Sequence, residues 1–146
     1  MDHFTRGELR FDVVDRGPAD GEAVVLLHGW PANASCWDRV TPTLAAAGLR
    51  TLAPDQRGYS PGARPPGRRS YAVEELVADV LALADAAGLD RFHVVGHDWG
   101  GGVGWALGSG HADRVASLTV LSTPHPAAMQ RSLAGVQLLR SAYVGF

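Results

Sequence analysis

Gly96-His97-Asp98-Trp99-Gly100-Gly101 places a carboxylate on what reads as a strand-to-helix turn. Phe92-His93-Val94-Val95 before it is an apolar run of strand length, and the glycine-rich run after it opens a helix through Trp105 and Leu107. Small residues two before and two after a polar side chain mark a nucleophile on a tight, strained turn, because the flanking glycines let neighbouring backbone approach. An aspartate there suits attack on an sp3 carbon to give an alkyl-enzyme ester, rather than acyl transfer by a hydroxyl. The competing reading is Asp98 as a helix N-cap, a position aspartate favours. Taken alone, the stretch does not choose between them.

Working outward, Glu8 to Asp15 alternates, with Leu9, Phe11 and Val13 against Arg10 and Asp12, and reads as a half-buried strand that can pair with Phe4 across the Arg6-Gly7 turn. Ala23-Val24-Val25-Leu26-Leu27 is continuously apolar, as in a strand buried on both faces of a parallel sheet. Ser35-x-x-Asp38 resembles a capping box and predicts a helix through Trp37, Val40 and Leu44 to Gly48. Arg50 to Pro54 is the next strand, and Pro61 to Arg69 a surface connection. Val73, Leu76, Val77, Val80, Leu81 and Ala84 recur at helical spacing up to Gly88, and Val115 to Ser122 is a further β-branched strand. Gly102, Gly104, Gly108 and Gly110 lower helix propensity by about 1 kcal/mol each where interior, which close helix-to-sheet contact would partly offset. Strands alternating with helices predict an α/β fold: a mostly parallel sheet with helices on both faces.

Composition narrows the function. A chain of 146 residues, 46% of them hydrophobic, is enough for one domain, burying about two-thirds of its unfolded surface. The net charge of -2 with no basic block points away from nucleic acid and acidic membranes. Cys36 is the single cysteine, so no intrachain disulfide or cysteine metal cluster is expected. Met1-Asp2-His3-Phe4-Thr5-Arg6 lacks the apolar core of a signal peptide. No apolar run approaches the ~20 residues that span a bilayer. A soluble, cytoplasmic protein without cofactor or metal is the expectation. His93-x-x-x-His97-Asp98 spans a strand and a sharp turn, so its rings need not converge on a metal.

Loops leave the carboxyl ends of successive strands at His28 to Pro31, Asp55 to Ser60 and His97 to Gly101, the edge where open α/β sheets bind ligands. His28-Gly29-Trp30-Pro31, Asp55-Gln56-Arg57-Gly58-Tyr59-Ser60, the Asp98 turn and Ser122-Thr123-Pro124-His125-Pro126 follow one another in order, each after a strand. Together they resemble the α/β-hydrolase family, and within it the epoxide hydrolase and haloalkane dehalogenase branch, over nearly the whole chain. The resemblance implies Asp98 as the nucleophile and the backbone N–H groups of Trp99 and Trp30 as the oxyanion hole, each such donor worth about 3 kcal/mol. It implies a small hydrophobic epoxide or halide as substrate, with Trp30, His28, Pro31 and His97 around the pocket. The Trp99 indole N–H could also face a leaving halide. Asp55 and Arg57 read as loop anchors, and His28 and His97 as residues that shape turns and bond backbone. Epoxide hydrolases use a pair of cap-domain tyrosines as acids; Tyr71 and Tyr143 do not match them by position, and that role is not given to them.

The same resemblance implies parts this sequence does not contain. The family's acid follows a strand after Val115 to Ser122 or, in one dehalogenase subgroup, that strand itself; Ser122 to Pro126 carries no carboxylate, which weakens the subgroup reading. The base is a histidine far downstream. Residues 1–146 are thus expected to be the N-terminal part of one core domain, truncated before the cap and the last strands. Such a chain could form the ester but not turn over, and its last strand would be an exposed edge open to self-association. Epoxide hydrolysis leads, haloalkane dehalogenation is the alternative enzyme, and a non-catalytic fragment or half of a two-chain assembly is the alternative of another class. A serine-type esterase is disfavoured by Asp98, and a fluoroacetate-type dehalogenase by Trp99, where that group carries arginine.

Overall fold

Val24 and Leu26 point into one core and Val25 and Leu27 into another, so the continuously apolar strand is buried on both faces as its composition requires. The computed structural model describes residues 1–132 and arranges six strands in the order β1-β2-β4-β3-β5-β6. These are β1 (His3–Arg6), β2 (Leu9–Arg16), β3 (Glu22–Leu27), β4 (Leu49–Pro54), β5 (Phe92–His97) and β6 (Val115–Leu121). The β1–β2 hairpin and the β2–β4 pair are antiparallel, while β4, β3, β5 and β6 run parallel. This is the mostly parallel α/β sheet that the alternating pattern predicts.

Helices cover both faces. α2 (Val73–Ala86) and α3 (Trp99–Gly110) pack on one side, where Val77, Val80, Leu83, Val103 and Leu107 meet Val25, Leu27 and Val94. On the other side a 3-10 turn (Ala34–Trp37) and α1 (Thr41–Ala46) set Trp37 and Leu44 against Val24, Leu26 and Ala53. A further helix, α4 (Pro126–Ser132), follows β6. Among the described residues β6 has one strand neighbour and lies at the sheet edge, and its residues are exposed or only partly buried.

One local expectation is overturned. The helix predicted from Ser35 to Gly48 is two pieces, and Ser35 does not cap it: the Asn33 side chain accepts from the Ser35 N–H and caps the 3-10 turn. The α-helix starts afresh at Thr41, with Pro42 in its first turn, where a missing N–H costs nothing and the fixed φ suits the helix.

The glycines of α3 divide by environment. A Cβ on Gly104 or Gly108 would press on the Leu118 side chain of β6, at 2.9 Å and 3.1 Å, whereas Gly102 and Gly110 face open space. Close approach to the sheet therefore accounts for the first pair only.

A buried ionic cluster ties the cavity-lining loop after β4 to α2. Arg57 donates two hydrogen bonds to the Asp79 carboxylate, at 2.7 Å and 2.6 Å, with both side chains buried. Arg6 from β1 reaches Asp79 at 2.9 Å and Glu75 at 2.7 Å. Arg57 and Asp55 are thus loop anchors, Asp55 by accepting from the Ala34 N–H at 2.8 Å. Removing one partner of a buried pair strands the other charge. Asp79→Asn is expected to lower unfolding free energy by about 3 kcal/mol in urea titrations, and Glu75→Gln, at the solvent side of the cluster, by much less.

Candidate active site

The parallel arrangement of β3, β4 and β5 brings the loops from His28, Asp55 and Asp98 to one edge of the sheet. Asp98 has φ 53° and ψ -119°, a left-handed conformation uncommon for a residue with a Cβ. Such strain costs on the order of 1–3 kcal/mol and persists only where surrounding contacts over-determine it. Those contacts are present. The Asp98 N–H donates to the Leu121 carbonyl at 3.1 Å, and the Asp98 carbonyl accepts from the N–H groups of Gly101 at 2.9 Å and Gly102 at 3.2 Å.

The glycines around the turn are needed for room. A Cβ on Gly96 would run into the Gly100 carbonyl, and one on Gly100 into the carbonyls of Leu27 and His28. On Gly29 it would strike the Asp98 side chain itself. The glycine before and the glycine after Asp98 therefore let β3, β5 and α3 close onto a single turn.

The N-cap alternative fails at the side chain. Asp98 occupies the cap position of α3, yet its carboxylate makes no cap hydrogen bond. Instead Oδ1 accepts from the Trp30 backbone N–H at 2.9 Å, across from the loop after β3. Trp99 is the first residue of α3, where the amide N–H has no intrahelical carbonyl to bond.

Beside this turn lies a cavity of about 250 Å³ lined by His28, Trp30, Tyr59, Tyr71, Trp99 and Val103, among others. Asp98 is not itself a lining residue; Gly29 and Trp30, which touch its carboxylate, and Trp99, which follows it, are. Trp30 and Trp99 are 70% and 68% exposed, so the two residues stand at the mouth rather than within the core. Pro31 and His97 are not among the lining residues. Pro31 is exposed. His97 shares a face of β5 with Val95, which packs on the α1 side, whereas Val103 brings α3 to the cavity.

His28 is fully buried with both ring nitrogens engaged: Nδ1 lies 3.0 Å from the Gly29 carbonyl and Nε2 accepts from the Gln56 N–H at 3.0 Å. That set requires the neutral ring with the proton on Nδ1. Burial pushes the His28 pKa down, against the opposing pull of the Gly29 carbonyl and the Asp55 charge. His28 thus shapes the turn and walls the cavity, and has no free nitrogen for moving a proton. Of the other histidines, His93 lies toward the opposite end of β5, with Nδ1 2.7 Å from Ser117 Oγ.

In the sequence Tyr59 stands out only as part of a loop motif. Its ring meets His28 edge-to-face at 4.5 Å between centroids and forms part of the cavity wall. Burial and then the nearby Asp98 charge raise the Tyr59 pKa, keeping the phenol protonated. Tyr71, from the turn before α2, completes that wall. Tyr143 lies outside the described residues.

Comparison with known proteins agrees with this geometry. Residues 22–145 match the model of the alpha/beta hydrolase fold family. The chain belongs to that family. It is 44% identical over 116 residues to epoxide hydrolase A of Mycobacterium tuberculosis, covering 80% of this chain and 36% of that protein. It is 37% identical over 140 residues to the AB hydrolase superfamily protein YfhM of Bacillus subtilis, covering 94% of this chain and 49% of that one. Among solved structures, an epoxide hydrolase from hot-environment metagenomes superposes with a TM-score of 0.87 at 34% identity, over 96% of this chain and 47% of that one. Epoxide hydrolase A from Mycobacterium thermoresistibile gives a TM-score of 0.79 at 34% identity, over 91% and 43%. The chain thus spans between about a third and a half of the length of these four relatives.

Two outcomes follow from the packing. Gly100→Ala drives a methyl into two carbonyls and is expected to cost about 3 kcal/mol or more, while Gly102→Ala, facing open space, should stabilise by roughly 0.5–1 kcal/mol; urea midpoints measure both. His28 binds fewer protons folded than unfolded, so stability rises with pH. Its contribution is complete above the ordinary histidine pKa and is lost as pH falls through that value towards the depressed folded one. Unfolding midpoints at pH 7.5 and 5.5 should differ less in His28→Gln than in the unsubstituted chain.

Proposed function

We propose that this chain carries the nucleophile half of an epoxide-hydrolase-type site, with Asp98 attacking an epoxide carbon of a small hydrophobic substrate. The observation that carries the proposal is the Trp30 N–H bonded to Asp98 Oδ1 at the strained turn. It divides the carboxylate: Oδ1 is held by a backbone donor, and Oδ2 is left to act. Attack by Oδ2 forms the ester C–O bond as the ring C–O bond breaks, and the ring oxygen takes a proton from a general acid. Oδ1 then becomes the ester carbonyl oxygen, already on the Trp30 N–H, and the Trp99 amide, without an intrahelical partner at the start of α3, is assigned as the second donor. When water adds to the ester carbon, those donors stabilise the oxyanion, and collapse releases the diol and restores the carboxylate. Water attack needs a base, and His28 cannot supply it with both nitrogens occupied.

The aromatic wall of Tyr59, Tyr71 and His28 supports an apolar substrate body. The two indoles at the mouth support haloalkane dehalogenation as a second reading, in which an indole N–H receives the leaving halide. No described helix is long and apolar enough to cross a membrane. Association of copies through β6 is proposed from its place at the edge of the described sheet, and a sedimentation coefficient that rises with concentration is its sign.

Incubation with styrene oxide should add one probe mass per chain, mapped by peptide sequencing to Asp98, and Asp98→Asn should lower that labelling at least a hundredfold. Labelling elsewhere, or equal labelling of the variant, contradicts the nucleophile assignment. Halide release from a bromoalkane with the alkyl group left on Asp98, and no label from styrene oxide, would select the second reading.

A further inference from the structure

The last residue of β6 and the segment after it bond Asp98 at its amide and at its carbonyl. We propose that Thr123 is a positioning residue for Asp98, its hydroxyl holding the turn in the geometry that keeps Oδ1 on the Trp30 N–H. The proposal rests on the reading of Asp98 as nucleophile. Thr123 Oγ1 donates to the Asp98 carbonyl at 2.6 Å, shorter than the bonds that carbonyl accepts from Gly101 at 2.9 Å and Gly102 at 3.2 Å. Two residues earlier, the Leu121 carbonyl accepts the Asp98 N–H at 3.1 Å. One short segment thus grips the amide and the carbonyl of the same strained residue.

The grip needs an unusual backbone of its own. Ser122, between the two contacts, has φ 61°, the only positive φ besides Asp98 among the described residues other than glycine. That reversal lets both a main-chain carbonyl at Leu121 and a side-chain hydroxyl at Thr123 reach one partner. Strained residues are retained where the surrounding structure over-determines them, and the pair here face each other across one set of hydrogen bonds. α3 makes room for the arrangement: a Cβ on Gly101 would lie 2.8 Å from Thr123 Oγ1 and 2.9 Å from its Cβ. α3 also fixes the segment from beyond, because Trp105 Nε1 donates to the Thr123 carbonyl at 3.2 Å. Rotation of the Asp98 peptide would break the Oγ1 bond and swing the carboxylate off Trp30.

A threonine that only closed its own loop would leave the Trp30 N–H unaffected when its hydroxyl is removed. Amide hydrogen exchange on the 146-residue chain separates the two roles. In Thr123→Val, exchange at Trp30 should accelerate about tenfold relative to the core amides of Val25 and Leu26, and Thr123→Ser should restore it to within about threefold of the unsubstituted chain. Trp30 exchange unchanged in Thr123→Val, or equally fast in Thr123→Ser, overturns the proposal; should Thr123→Val fail to fold, Thr123→Ala is compared with Thr123→Ser on the same terms. Labelling by styrene oxide should slow in Thr123→Val by a similar factor. Absence of any label on the unsubstituted chain refutes the nucleophile reading and leaves the exchange result standing.

Discussion

Asp98 can hold its left-handed backbone only because β3, β5, the start of α3 and the segment after β6 all close on it, and closure is limited by backbone-to-backbone distance. Where Gly29, Gly96 and Gly100 stand, a single methyl would meet a carbonyl or the Asp98 side chain. The main-chain bonds to Leu121, Gly101 and Gly102 then leave the residue little freedom. The carboxylate cannot turn to cap its own helix and instead meets a donor from another loop. Strain at the turn, the orientation of the carboxylate and the glycine pattern are one constraint seen from three sides.

The cavity wall depends on a second constraint, away from the turn. The loop carrying Gln56 and Tyr59 leaves the end of β4 with Arg57 buried. A guanidinium in that position is tolerable only because Asp79 takes two of its hydrogen bonds and Arg6 and Glu75 extend the cluster. Gln56 in turn gives its backbone N–H to His28 and fixes that ring as a neutral wall. The cavity wall, to which Gln56 and Arg57 belong, is therefore held in place by Asp79, Arg6 and Glu75 behind it.

Much of this was legible in the chain. The strands show in alternating or continuous apolar runs, α2 in its helical spacing and α3 in the glycine-rich run after the turn, and four loop motifs in order point to the family. Local reading failed where a nearby side chain competed for the same task. Ser35 had the spacing of a cap, but Asn33 reached its N–H first, and Pro42 offered a better helix start. Asp79 sits among the core positions of α2 and looks misplaced there until Arg57, a distant loop residue, is folded onto it. Pro31 and His97 neighbour the site in sequence, yet strand alternation and loop direction turn them from the cavity. Tyr59 was hidden for the opposite reason, since nothing local tells which side of a loop a ring will take.

By itself the sequence determined the α/β architecture, the family and the residue at the turn, because period-two and helical patterns and the size of a glycine are local properties. Tertiary structure alone decided which oxygen of Asp98 is held and which residue holds its backbone. The donors come from Trp30, 68 residues before, and from Thr123, 25 residues after. Distances of 2.6 Å and 2.9 Å between such remote groups exist only once parallel strands have brought three loops to one edge.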